Sequence, residues 1–187
     1  MSFIRKLNRL KGLQHGRRCI HPSYNTNHTI WDGHNVQSVF KRYTDSETSV
    51  TSTSFTATHL EAIIYPKKSD SILKVRTNST VCQITSHTET NVNFALYMSV
   101  AGGGYAIIDS DYDMQGMRNY SSPSGDWTQM PLDWQWIVPT SDKNIRVGDK
   151  VMFMVYIYVN TGTAEIGNQQ GHSWMEIEEI NGANYNT

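Results

Sequence analysis

Charge is what this sequence has least of. Lys, Arg, Asp and Glu make up 18% of its 187 residues, against about 25% in an ordinary soluble domain. Ser, Thr, Asn and Gly take up the difference, a balance that suits β-rich surface proteins better than helical enzymes. Cysteine is nearly missing too. Cys19 and Cys82 alone exclude a disulfide framework and a C-x-x-C motif, and Cys82 falls in an alternating strand pattern as a small buried hydrophobe. No apolar run approaches the roughly 20 residues of a membrane-spanning helix. The first residues, Met1 to Lys11, lack the continuous apolar segment of a signal peptide, so synthesis in a cytoplasm is expected. There is no G-x-S-x-G, H-E-x-x-H, P-loop or dinucleotide fingerprint. No catalytic residue, no metal and no cofactor is assigned, and the chain is not expected to be an enzyme.

What is present centres on Val151–Val159, nine apolar or aromatic residues in a row. Valine, isoleucine, tyrosine and phenylalanine suit a pleated, buried surface, and a strand of that length reaches roughly 30 Å at about 3.3 Å per residue. Alternation puts Val151, Phe153, Val155, Ile157 and Val159 on one face and Met152, Met154, Tyr156 and Tyr158 on the other. The aliphatic face fits the inside of a β-sandwich. The Met/Tyr face either lies under a second layer of the same chain or meets neighbouring subunits, where tyrosine and methionine are enriched. These four residues are the candidate oligomer interface.

Charge is also unevenly spread. Residues 1–31 hold Arg5, Lys6, Arg9, Lys11, Arg17 and Arg18 and no acid, a charge of +6. Residues 32–187 hold ten Lys/Arg against seventeen Asp/Glu, a charge of -7. Such asymmetry marks a basic arm on a mildly acidic body. Within the arm Phe3, Ile4, Leu7 and Leu10 recur at helical spacing opposite the cations. The arm docks on an acidic partner protein, caps its own domain, or touches nucleic acid or membrane. The last is the weakest, because no base-stacking aromatics are interleaved, and neither nucleic acid nor membrane is assigned as a partner. Residues 12–36 read as a linker punctuated by Gly16, Pro22 and Gly33. His15, Cys19, His21, His28 and His34 lack the paired spacing of a zinc site. Residues 1–35 are thus an arm and linker, and residues 36–187 one domain.

From Val36 the pattern is β. Strands are expected at Val36–Tyr43, Ser54–Tyr65 (one or two), Ser71–Thr77, Val81–Ile84, Asn91–Val100, Tyr105–Ile108, Val151–Val159 and Ser173–Ile180. A long loop is expected over Asp109–Asp126, and an aromatic segment interrupted by Pro131 over Trp127–Val138. Many short strands with Gly/Asn/Ser turns point to a sandwich or barrel.

Several stretches resemble small domains of tailed-bacteriophage virion proteins. Ser54–Val75 has their strand ending in I-x-P-K, a Ser-rich loop and S-x-I-L. Asn93-Phe-Ala-Leu-Tyr97 is similar to their next core strand. Val147-Gly-Asp-Lys-Val151 and Ser173-Trp-Met-Glu-Ile-Glu-Glu-Ile180 are similar to their last two. The likeness covers residues 36–181; the arm, the Trp-rich segment and the charge at Asp70 depart from it. It implies an all-β jelly-roll sandwich of tumour-necrosis-factor/C1q-like type that forms homotrimers and sits on a virion surface after synthesis in the host cytoplasm; the extended basic N-terminal arm is read from the charge asymmetry instead.

Two further constellations carry chemistry. Asp109, Asp111 and Asp113 resemble a calcium loop, but Met114 and Tyr120 stand where an EF-hand needs Gly and Glu, so a solvated acidic loop is the plainer reading. Trp127, Trp134 and Trp136 suggest a glycan-stacking or receptor surface, with buried core aromatics as the alternative. The role expected is a virion structural protein. Capsid decoration is preferred, anchored to other virion proteins by Phe3, Ile4, Arg5, Lys6, Leu7, Arg9, Leu10, Lys11, Arg17 and Arg18. A tail fibre or receptor-binding tip gripping host surface glycan is second, since no heptad run or collagen-like repeat supplies a stem. A carbohydrate-binding module is third.

Overall fold

The computed structural model of the chain describes residues 35–44, 47–84, 90–108, 114–119, 127–167 and 173–182. Regular structure among them is all strand. In chain order the strands are β1 (Asn35–Tyr43), β2 (Thr48–Val50), β3 (Thr56–Ile64), β4 (Ser71–Ile84), β5 (Thr90–Val100), β6 (Ala106–Ile107), β7 (Met114–Asn119), β8 (Trp127–Pro139), β9 (Val151–Val159), β10 (Thr163–Ile166) and β11 (Ser173–Asn181).

Several of these are pieces of one extended run. β1 and β2 pair in succession with β11 and β10, from Asn35 opposite Ile180 to Val50 opposite Ala164. β11 and β10 together cover one flank of β4, and β8 covers the other, from Ile72 opposite Pro139 to Ile84 opposite Trp127. In the second sheet β6 and β7 line up along β5, and β9 lies between β5 and β3. With each collinear pair counted as one strand, the first sheet runs first–eighth–third–sixth and the second runs second–seventh–fourth–fifth. That is the strand order of a jelly roll, two antiparallel sheets packed face to face. The expected all-β jelly-roll sandwich is the fold of the described residues.

The core follows from alternation. Val151, Phe153, Val155, Ile157 and Val159 of β9 are each 0% exposed, and they pack with Leu73, Val75, Val138 and Ile177 of the opposite sheet. Fully burying one such side chain stabilises the fold by about 1.5–3 kcal/mol, so this single strand is a large part of the driving force.

Three details differ from the expectation, and a fourth decides between its alternatives. β4 runs unbroken through Asn78–Thr80, paired along its whole length with β8; the inward Ser79 Oγ lies 2.7 Å from Ser173 Oγ, while the inward Thr77 hydroxyl is buried with no partner among the described residues. Pro131 does not interrupt β8. β8 is an edge strand, pairing with β4 alone, and an edge tolerates a missing N–H. β7 sits where a long loop is expected, and β2 and β10 fall where no strand is expected; at three to six residues they are too short to show a period. Finally, β3 is one strand with a bulge, Ala57 lying opposite Tyr156 and Glu61 opposite Met154. The bulge is held by Thr58, whose Oγ1 donates to the Val155 carbonyl at 2.8 Å and accepts the Leu60 N–H at 3.1 Å.

Candidate functional site

The side chains of β9 that turn away from the core emerge on the outer surface of the β3-β9-β5 sheet. Met152, Met154, Tyr156 and Tyr158 are all half-buried there. Register brings Tyr97 of β5 opposite Met154, and Ala95 opposite Tyr156. Ile63 of β3 lies opposite Met152. The floor between the large side chains is small: Asn93, Ala95 and Ser99 are 4%, 3% and 3% exposed, so the rings lie down over β5. Tyr97 and Tyr156 stack with centroids 4.0 Å apart. Phe55 meets Tyr158 edge-on at 4.8 Å, and Tyr105 tilts against Tyr156 at 6.0 Å. Aromatic pairs at these separations contribute about 0.5–1.5 kcal/mol each beyond their buried area.

This face is nearly without charge. Among the described side chains pointing outward from β3, β9 and β5, Glu61 is the charged one, and Lys41 of β1 neutralises it at 3.2 Å. The Tyr105 hydroxyl is buried with no hydrogen-bond partner among the described residues. Burial, followed by the nearby Glu61 and Tyr156, pushes its phenol above the usual range. It is a neutral O–H donor with no acceptor among the described residues.

The other outer surface differs in kind. On the β11-β4 strands Lys74 pairs with Glu178 at 3.6 Å, and Arg76 with Glu176 and Glu178 at 3.7 and 3.9 Å. Arg76 Nε also donates to Gln135 at 3.2 Å. Phe40, 59% exposed, leans on Trp174 at 5.6 Å, and Ile137, 50% exposed, lies opposite Lys74 on the same side of the sheet.

The remaining candidates are placed as follows. Trp136 is 8% exposed and belongs to the core. Trp134 packs against the same core, 6.5 Å from Trp136 and 6.5 Å from Phe94. Both rings turn inward, which is the buried-aromatic alternative, and Trp136 has no open ring face on which a sugar can stack. Trp127 opens β8 opposite Ile84, and its side chain is outside the described set. The arm, from Phe3 to Arg18, and the carboxylates Asp109, Asp111 and Asp113 also lie outside the described residues. Among the described residues no three His, Cys, Asp or Glu side chains are grouped to share a metal ion, and no helix is long and apolar enough to cross a membrane. Phe55, Tyr97 and Tyr105 were not among the sequence candidates. The alternation of Asn93, Ala95, Tyr97 and Ser99 held the signal for Tyr97, but Phe55 and Tyr105 stand in turns, where no period marks a face.

No family model and no curated protein matches the chain. Solved structures of infectious bursal disease virus do. The VP2 subviral particle is 15% identical, with a TM-score of 0.43, over 81% of this chain and 34% of that one. The Gx strain gives 14% and 0.42, over 81% and 35%. The T13 IBDV viral particle gives 11% and 0.37, over 78% and 36%. The chain spans about a third of the length of those it is similar to. At these values the fold assignment rests on the strand order itself.

Proposed function

We propose that this chain is a non-enzymatic structural subunit of a virus particle, a jelly roll that assembles with copies of itself through the outer face of its β3-β9-β5 sheet. The observation that carries the proposal is the contrast between the two outer surfaces. One is laced with ion pairs, as a solvated sheet is. The other presents stacked tyrosines, methionines and a neutral hydroxyl donor without an acceptor among the described residues. Aromatic and Met-rich surfaces depleted of charge have the composition of interface cores. Near-neutrality lets identical faces meet without like-charge repulsion.

The finer reading is a homotrimer on the virion of a tailed phage, with the arm (residues 1–35) anchoring the domain to other virion proteins and the sandwich displayed outward. The likeness of residues 36–181 to phage virion domains supports it. Capsid decoration is the preferred placement, since a basic arm and an acidic body suit a clamp between shell subunits. The second placement, a receptor-binding tip, draws on Phe40 and Trp174, whose rings lie on the outside as sugar-stacking side chains must. A jelly roll by itself hosts many functions, so the test is made on the particle. Quantitative mass spectrometry of purified virions gives the copy number of this chain relative to the major shell subunit. Comparable numbers support decoration, a small fraction supports a tail component, and complete absence overturns the virion role.

A further inference from the structure

The end of the sandwich at which β1 begins carries a surface unlike either face. Gln37 Nε2 donates to the Tyr65 carbonyl at 2.7 Å. The Gly148 N–H donates to the Pro66 carbonyl at 2.8 Å. The β3–β4 and β8–β9 turns therefore abut beside the point where the arm departs. Tyr65 and Val147 flank that contact, 55% and 57% exposed. Around them Lys67, Lys68, Arg146 and Lys150 are all exposed.

The nearest carboxylates are used inward. Asp149 accepts the Arg146 N–H at 2.8 Å. Glu179, 0% exposed, accepts the N–H groups of Lys67 and Lys68. Asp70 and Asp142 are the other acids at this end. No ion pair among the described residues engages the four cationic side chains, whereas Lys41, Lys74 and Arg76 on the sheets are each paired. The 34 residues that precede Asn35 add six further cations and a single acid, Asp32.

Resting on the reading above, we infer that this end is the seat of the chain on the particle, and that it docks on a carboxylate-rich protein surface. Tyr65 and Val147 form the apolar centre of the contact and the lysine/arginine rim surrounds them, the arrangement of a specific interface. Charge complementarity selects the partner. A second copy meeting end to end would set like charges together, which disfavours self-contact here.

The test uses the full-length chain supplied to virus lacking its own copy. One variant carries Lys67→Glu, Lys68→Glu and Arg146→Glu; a second carries Tyr65→Ala and Val147→Ala. Virion copy number is counted, and the soluble proteins are compared by sedimentation and thermal melting. The expected result is a fall in copy number of about tenfold or more for the charge variant, a smaller fall for the neutral one, and unchanged soluble oligomer and melting. Wild-type chain should also elute from particles as salt rises from about 0.05 to 0.5 M. If wild type is incorporated and both variants match it, this inference is overturned while the proposed function stands. Wild type missing from virions overturns the proposed function, and this inference with it.

Discussion

The carboxylate of Glu179 accepts the backbone N–H of Lys67 at 2.9 Å and that of Lys68 at 2.8 Å, tying the last strand to the turn between β3 and β4. Gln37 Nε2 adds a third donor at 2.6 Å. A fully buried acid is unusual, and here it stands in for the chain that would otherwise close the turn. Glu179→Ala strands these donors in a dry site. The expected loss is about 3 kcal/mol, read as a fall in urea midpoint with unchanged slope. A variant as stable as wild type would refute the role of the carboxylate.

The two faces of β9 should respond differently. Phe153→Ala opens a cavity in the core and should cost about 3–5 kcal/mol. Tyr156→Asp puts a charge on the outer face, among Tyr97 and Tyr105, and should leave the monomer folded while reducing the oligomer to single subunits. Sedimentation together with circular dichroism separates the two outcomes. A Tyr156→Asp protein that stays folded and oligomeric would remove this face as the assembly surface.

Tyr43 bridges the sheets at their edge. Its hydroxyl accepts the Glu61 N–H at 2.7 Å and donates to the Glu61 carbonyl. Both groups belong to the free edge of β3, which is otherwise an open template for strand addition. Tyr43→Phe should cost about 1–2 kcal/mol and speed amide exchange at Glu61 more than at Phe153.

His59 gives stability a dependence on pH. The Thr48 hydroxyl lies 2.9 Å from its Nδ1, while Nε2 is buried with no partner among the described residues. Burial lowers its pKa from the ordinary 6.5. The unfolded chain therefore takes up the proton first as pH falls, and the contribution of His59, intact above about 6.5, declines from there toward the lower folded value. Urea midpoints at pH 7.5 and 5.5 should differ more in wild type than in His59→Gln. Equal differences would show that the imidazole does not couple to folding.

Much of this architecture was legible because burial writes a period into sequence. β9, β5 and β11 alternate in sequence and were expected as strands, and the inner face of β9, Val151 to Val159, is the buried one. β4 was harder, since the polar Thr77 and Ser79 occupy inward positions and look like a break in an apolar alternation. Pro131 misled for a related reason, as nothing local says that β8 is an edge. The Met/Tyr face of β9 was visible as a stripe. Its completion by Phe55 and Tyr105 depends on turns that fold rings back over the sheet, a tertiary outcome with no local signature. The tryptophans show the same limit: Trp134 and Trp136, two apart, share one side of β8, but only the second sheet decides that this side is the interior.

Asn35 stands opposite Ile180 in the β1–β11 ladder, so the two ends of the described sandwich are neighbours. A fold whose ends adjoin makes a self-contained cassette. It can be spliced into a surface loop of an unrelated host protein without prising the recipient apart, which opens a route by which one such module is passed between otherwise dissimilar genomes.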